Sequence, residues 1–233
     1  MSKNSKITNQ KNFENKILDF QLREAYKTAR TNIAYSIIKK GCKKIAFTSS
    51  VKGEGKTVTS TNIAYAMSQQ VDTKVLVIEC DLRIPKIHTV FNIEPTPGLT
   101  NYLAGECSAE AIIRDTKFPN LKVISFGAVP PNPSELLASE AMQELVKNVE
   151  NDFDYIIFDT PPVGVVSDAL PIIKLSDGVV IVAKHNHTTY PELSSTVDIL
   201  ERAEAKIIGI TLNYAKLLTS KKSRYYKNYG YYS

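Results

Sequence analysis

Short apolar runs rich in Val, Ile and Phe recur along the chain, each bounded by polar or turn-forming residues. They cover residues 43–48, 74–79, 121–125, 155–159, 178–183 and 206–211. Runs of this length without polar alternation predict strands buried on both faces. Helix-compatible stretches lie between most of them, at 57–70, 134–150 and 189–203. A longer helix is predicted from Phe13 to Lys40, where Leu18, Leu22, Ala25, Ala29, Ile33 and Ile37 fall three or four residues apart. Strands alternating with helices predict an α/β fold with a doubly wound, mostly parallel sheet. Residues 84–120, rich in Pro, Asn, Thr and Gly, predict loops with a short helix. The polar stretch 1–12 is expected to be disordered, 13–214 to form one domain, and 215–233 to be a flexible tail.

Charge and composition add a second feature, at the C-terminus. Tyr225, Tyr226, Tyr229, Tyr231 and Tyr232 lie among Lys, Arg, Asn, Gly and Ser, with no aliphatic neighbours to pack against. From Ala215 onward Lys216, Lys221, Lys222, Arg224 and Lys227 meet no acidic residue. The 233-residue chain has a net charge of +5, so everything before the tail is balanced. Aromatic rings among cations suit stacking on single-stranded RNA, and the tail alone would suggest that. No apolar run approaches the length of a membrane span, and the N-terminus lacks the apolar core of a secretory signal. Cys42, Cys80 and Cys107 are few and unpatterned, as in a reducing cytoplasm.

The body of the chain carries a more specific signal. After the first apolar run the sequence reads Thr48-Ser-Ser-Val-Lys-Gly-Glu-Gly-Lys-Thr57 and then enters a helix. This is a P-loop with Ser50 in place of its first glycine. Gly53, Glu54, Gly55, Lys56, Thr57 and Val58 are the candidate nucleotide-binding residues. Glycines let successive N–H groups point at an anion at a positively polarised helix start. Lys56 would reach the β- and γ-phosphates of ATP and the Thr57 hydroxyl would meet Mg²⁺. Two strand ends offer carboxylates: Tyr155-Ile-Ile-Phe-Asp159 ends in the Walker B arrangement, and Val75-Leu-Val-Ile-Glu79-Cys-Asp81-Leu-Arg83 ends in a second acidic set. In an open parallel sheet both lie on the ligand side.

These features, with the run Pro131-Asn-Pro-Ser-Glu-Leu-Leu137, the Asp159-Thr-Pro-Pro162 strand end and the tyrosine tail, resemble the bacterial tyrosine kinases (BY-kinases). The likeness is greatest to the CapB/CpsD type that serves capsular polysaccharide synthesis, and it spans about Gln21 to the end. It implies ATP- and Mg²⁺-dependent transfer of the γ-phosphate, in trans between subunits, to the terminal tyrosines. It further implies that Thr57, Asp81 and Asp159 organise Mg²⁺ and that the acid at position 79 is the base for the phenol, with Lys56, Glu79 and Asp81 as catalytic residues. A separately encoded transmembrane activator (a polysaccharide co-polymerase), a ring of copies and a tyrosine phosphatase are the implied partners. The protein would then be cytoplasmic, recruited to the inner face of the membrane, and would not bind nucleic acid.

The chain departs from the family at three places. Position 79 is Glu where Asp is usual, which lengthens the arm by one methylene. The family's oligomerisation pattern, Glu-x-x-Arg-x-x-Arg, becomes Glu24-x-x-Lys27-x-x-Arg30, and Lys lacks the bidentate fork of Arg. Lys52 stands where these kinases often have Pro. That lysine also fits the P-loop of MinD/ParA-type ATPases, whose ATP-driven dimerisation is the alternative reading; a non-catalytic scaffold is a third. His185 and His187 lack a third ligand of suitable spacing for a metal. Cys80 reads as structural. Tyr26, Tyr35, Tyr65, Tyr102, Tyr155, Tyr190 and Tyr214 are expected to pack, and Asn213 is placed near the base. The tail's positive charge is expected to steer it toward a neighbour's acidic site.

Overall fold

The computed structural model describes the backbone of residues 3–215 and the side chains from Phe20 to Ala215. Among these residues seven strands form one sheet: β1 (Lys43–Ser49), β2 (Val75–Glu79), β3 (Ile113–Asp115), β4 (Leu121–Ile124), β5 (Tyr155–Asp159), β6 (Gly178–Lys184) and β7 (Ile207–Asn213). Their order is β3-β4-β2-β5-β1-β6-β7, and every pairing is parallel except β3 with β4. The six apolar runs are the six parallel strands. β3 went unpredicted because Ile113-Arg-Asp115 is too short and too polar to signal a strand; it pairs only with β4, at the sheet edge.

Alternate residues of each strand enter different cores, as a two-residue side-chain period requires. Ile45, Phe47, Val75, Val77, Ile157, Val180 and Val182 meet Ile63, Ala64 and Met67 of α2 (Lys56–Ser68), with Ile33 and Ile37 beside them. Ala46, Leu76, Ile78, Ile156, Phe158, Val179 and Ile181 meet the opposite layer. That layer receives α4 (Leu99–Leu103), α5 (Ala109–Ile112), α6 (Pro133–Leu137), α7 (Glu140–Val149), α8 (Ala169–Leu175) and α9 (Tyr190–Arg202), while α1 (Lys3–Ser36) and α3 (Ile87–Phe91) lie on the α2 side. Burial on both faces is why the other parallel strands lack a polar face, whereas β7, expected to be buried on both faces, lies at the sheet edge with Ile210 and Leu212 exposed.

Two helix boundaries differ from the sequence reading. The stretch 134–150 is two helices, because Ser139 takes an extended backbone and its side chain accepts from Met142 N–H, starting α7 afresh. The first helix runs back to Lys3, through residues expected to be disordered. The first glycine is Gly41 and the first proline Pro85, so nothing in that polar stretch interrupts a helix. The tail from Lys216 onward, with its five tyrosines, lies outside the described residues.

The strand order creates the setting for a ligand. From β1 the chain passes over β5 to β2 on one side, and later returns to β6 on the other. Ligands of open α/β sheets bind outside the carboxyl ends of strands where the order reverses in this way.

Candidate active site

The turn from β1 into α2 is shaped by its glycines. Gly53 and Gly55 have φ of 84° and 87°, in the left-handed region that residues with a Cβ rarely adopt, and Gly55 is the N-cap of α2. Gly55 also lies under the last strand: a Cβ there would sit 2.1 Å from Asn213 Nδ2 and 3.5 Å from the Tyr214 ring. Asn213 Nδ2 donates to the Glu54 carbonyl at 3.1 Å, so the residue placed near the base by sequence instead clamps the P-loop backbone. Ser50 needs no glycine conformation, since its φ is not positive. Its hydroxyl accepts from Thr196 Oγ1 at 2.9 Å, and Gly164 packs against its carbonyl.

Glu54, a candidate nucleotide-binding residue, is fully buried and turned into the protein. Its carboxylate accepts from Val51 N–H at 2.9 Å and from the Thr188 hydroxyl, which in turn accepts from Lys184 N–H at 2.7 Å. It therefore ties the P-loop to the end of β6. Thr188 was missed because a threonine in a loop carries no signal of a partner 134 residues away. Val58 is half-exposed on the first turn of α2.

Three other expected residues come together. Thr57 Oγ1 donates to Asp159 Oδ2 at 2.6 Å, and Ser60 Oγ donates to Asp159 Oδ1 at 3.2 Å. Lys56 Nζ lies 3.8 Å from Asp81 Oδ2, both almost wholly buried. Burial raises the Asp159 carboxyl from 3.8 to about 6, although Lys56 and the Thr57 hydrogen bond pull it down. This donor set fits Mg²⁺. Hard oxygens converge at the helix start, and Mg²⁺ is typically held by one or two carboxylates plus substrate phosphates. No group of three or more His, Cys, Asp or Glu that could hold a metal by itself occurs among the described residues. His185 and His187 belong to the turn after β6.

The Asp159 shift makes a prediction with a defined sign. Its folded-state pKa lies above the unfolded value, so its contribution to stability is complete below about pH 4 and is lost as pH rises through about 6. Without divalent cation, Asp159→Asn should therefore gain stability relative to wild type on going from pH 5 to pH 7.5, by about 1–3 kcal/mol. Urea unfolding at both pH values measures this. The same difference at each pH would contradict it.

Glu79 sits beside Asp159 in the parallel sheet register, close enough for the charges of Asp159 and Asp81 to act on it, but its carboxylate is taken up by backbone rather than by the Thr57 side of the site. It is fully buried, and its Oε1 accepts from the N–H groups of Lys86 and Ile87, the latter at 2.7 Å. Burial raises it to about 7. Cys80 is fully buried with its thiol pKa raised well above the ordinary value by that burial, as a structural cysteine should be. Arg83 clasps Asp168 at 2.5 and 3.1 Å, joining the end of β2 to the start of α8.

A cleft of about 120 Å³ lies over these elements, lined by Lys52, Gly53, Lys56, Thr57, Asp81, Arg83 and Lys86, with Pro161 and Pro162 opposite. Its charged lining is mostly cationic, which corrects the expectation of an acidic site: any pull on a basic tail must come from bound nucleotide. Larger clefts of about 620 Å³ lie among Leu137, Leu170 and Ile199 and at the opposite strand ends around Cys42 and Lys74. Neither joins a glycine turn at a helix start to strand-end carboxylates, so size alone does not mark the site.

The candidate interface residues are less alike than their spacing implies. Glu24 and Lys27 pair with each other at 2.7 Å on the exposed face of α1. Arg30 instead donates to the Ala66 carbonyl at 3.0 Å, near the end of α2. Among the dispersed tyrosines, Tyr35, Tyr190 and Tyr214 are exposed rather than packed.

Comparison with known proteins agrees with this geometry. A family model described as an AAA domain matches residues 42–210. The tyrosine-protein kinase YwqD of Bacillus subtilis is 38% identical over 90% of this chain and 85% of its own length. The tyrosine-protein kinase CpsD of Streptococcus agalactiae is 39% identical, covering 84% of this chain and 88% of that protein. The solved kinase domain of Escherichia coli tyrosine kinase ETK superposes with a TM-score of 0.77 at 32% identity, over 85% of this chain and 79% of that one. The septum site-determining protein MinD of Pyrococcus horikoshii, at 23% identity and a TM-score of 0.63, shares the fold alone. Sequence, fold and the P-loop with its two strand-end carboxylates agree: the chain belongs to the bacterial tyrosine-protein kinases.

Proposed function

We propose that this kinase transfers the γ-phosphate of ATP to Tyr225, Tyr226, Tyr229, Tyr231 and Tyr232 of a neighbouring copy. The observation that carries the reading is the 2.6 Å contact between Thr57 and Asp159, with Lys56 and Asp81 on the same cleft. ATP would lie with its phosphates on the N–H groups at the start of α2, and Lys56 would neutralise charge developing between the β- and γ-phosphates. Thr57, Asp81 and Asp159 would hold Mg²⁺, which supplies charge neutralisation on the phosphate oxygens when bound. A phenol is a weak nucleophile, and phosphoryl transfer rests mainly on alignment and electrostatics. β7 delivers the chain to the ligand edge: Tyr214 lies beside Gly55, and Tyr225 follows eleven residues later. Fully extended, that stretch spans at most about 40 Å, which sets the reach of the first tail tyrosine from the site.

In this reading the kinase regulates capsular or exopolysaccharide synthesis and export. It acts in the cytoplasm at the inner face of the membrane, in a ring of copies that uses the Glu24, Lys27 and Arg30 face. A separate transmembrane activator recruits it and a tyrosine phosphatase resets it. Similarity to the tyrosine-protein kinase CpsD supports the kinase part of this reading. No helix among the described residues is long and apolar enough to cross a membrane.

One mixing experiment tests both transfer and direction. A Lys56→Met copy with its tyrosines is incubated with an active copy whose five tail tyrosines are Phe, in γ-labelled ATP. Label on the tail of the Lys56→Met copy is the expected result. Phosphate release with no protein label would favour the MinD/ParA-type ATPase instead. Label that appears only when an active copy carries its own tyrosines would place transfer in cis.

A further inference from the structure

Glu79 and Lys86 carry a role that the P-loop and its carboxylates leave unfilled. Glu79 Oε1 is occupied by the N–H groups of Lys86 and Ile87, at the start of α3. Glu79 Oε2 faces His88 Nδ1 at 4.0 Å, and neither buried atom has a hydrogen-bond partner. This carboxylate is fully buried, and one of its oxygens is already held by backbone N–H groups. Lys86, whose backbone it holds, does line the cleft.

Of the other cations there, Arg83 is committed to Asp168 and Lys56 is drawn toward Asp81, while Lys52, which makes no ion pair among the described residues, sits on the P-loop itself. Lys86 is exposed and makes no ion pair among the described residues, so its charge is unspent in the absence of ligand. It also lies on the segment after β2, across the cleft from the P-loop.

We propose that Lys86 is a catalytic cation for the terminal phosphate of ATP, contacting it from the side opposite Lys56, and that Glu79 is the positioning residue that aims it. The proposal rests on the reading of the cleft as an ATP site. During transfer the bond from the γ-phosphorus to the ADP oxygen breaks, and its electron pair stays on ADP. The phenolic oxygen forms the new bond to phosphorus and releases its proton to water. Lys86 takes no part in the proton movement and stabilises charge on the oxygens of the moving phosphoryl group. Such a cation acts on the transition state more than on bound ADP, so its loss lowers kcat more than product affinity. The longer Glu at position 79 fits this role, because reaching two N–H groups at the α3 start matters more than reaching the cleft.

The full chain and its Lys86→Ala, Lys86→Arg and Glu79→Gln variants test the proposal. The readouts are kcat and KM for tyrosine labelling, ADP affinity by calorimetry, and melting temperature. Lys86→Ala is expected to lower kcat about 10²-fold and to change ADP affinity less than about threefold, the scale of losing one preorganised charge-stabilising group. Lys86→Arg should recover at least about a tenth of wild-type kcat, since it restores the charge. Glu79→Gln keeps an acceptor for both N–H groups and should retain more than about a third of wild-type kcat, whereas loss of a true general base typically costs about 10²–10⁴-fold. Wild-type kcat in Lys86→Ala would overturn the cation role. A well-folded Glu79→Gln as inactive as Lys56→Met would overturn the positioning role and make Glu79 the base. If the wild-type protein binds ADP and hydrolyses ATP without labelling tyrosine, the kinase reading fails, and the same variants still decide the role of Lys86 through the hydrolysis rate.

Discussion

Lys56→Met is expected to lower tail phosphorylation by at least about 10³-fold without unfolding the protein, because it removes the buried cation of the phosphate site. Lys56 opens α2 and is 7% exposed, with Nζ 3.8 Å from Asp81 Oδ2. Its charge also lowers the Asp159 pKa against the effect of burial. Methionine has a similar reach and buries readily, so the fold loses little packing. The site, however, keeps two carboxylates and loses the charge that balanced them. Asp159 then becomes harder to ionise, which works against metal binding as well as against phosphate. Mass spectrometry of Tyr225–Tyr232 in the purified wild-type and variant proteins measures the effect. Equal occupancy in the two would sink the proposed site.

Gly55→Ala should weaken nucleotide binding by about 10²-fold and cost about 1–2 kcal/mol of stability, through two separate penalties. The first is conformational: φ of 87° places any Cβ against the following carbonyl oxygen. The second is steric: the new methyl would lie 2.1 Å from Asn213 Nδ2, which must then leave the Glu54 carbonyl. The loop would shift by a fraction of an ångström at the point where its N–H groups must meet phosphate. Gly53 provides the control, since its φ is 84° but nothing lies within 4 Å of its Cβ position. Gly53→Ala should therefore show the conformational penalty alone. The double variant Gly55→Ala/Asn213→Ala should regain part of the lost affinity by opening space. Calorimetric titration with ADP and urea unfolding compare all three. Binding by Gly55→Ala as tight as wild type would show that the clamp from β7 is irrelevant to the loop's shape.

Phosphorylation of the tail adds about −1.5 to −2 charge per tyrosine and would invert its sign. The cationic lining around Lys52, Arg83 and Lys86 changes how that inversion is read. An unmodified basic tail gains attraction only once ATP is bound. A phosphorylated tail becomes attractive to the empty cleft, so the product could compete with nucleotide.

Much of the architecture is legible in local pattern. Strands 43–49 and 178–184 announce themselves because burial on both faces demands unbroken β-branched runs, and the P-loop because Gly53 and Gly55 supply a backbone that other residues avoid. The Thr57 and Asp159 pair was also readable, since a parallel sheet delivers its strand ends to one edge. What escaped were the partners of side chains whose identity leaves several roles open. Glu54 looks like a ligand-binding acid and is a buried tie to Thr188; Arg30 looks like an interface cation and reaches back to Ala66. Glu79 has the sequence position of a catalytic base and the surroundings of a helix cap.

The sequence by itself determined the doubly wound sheet, the phosphate-binding turn and the acids beside it, because periodicity and glycine conformation are local properties of the chain. Only the tertiary structure decided which acid faces the cleft. Asp81 lines it, whereas Glu79, two residues earlier, is buried and turned to the N–H groups of Lys86 and Ile87 at the start of α3. That direction depends on residues packed from distant segments, and no spacing of letters contains it.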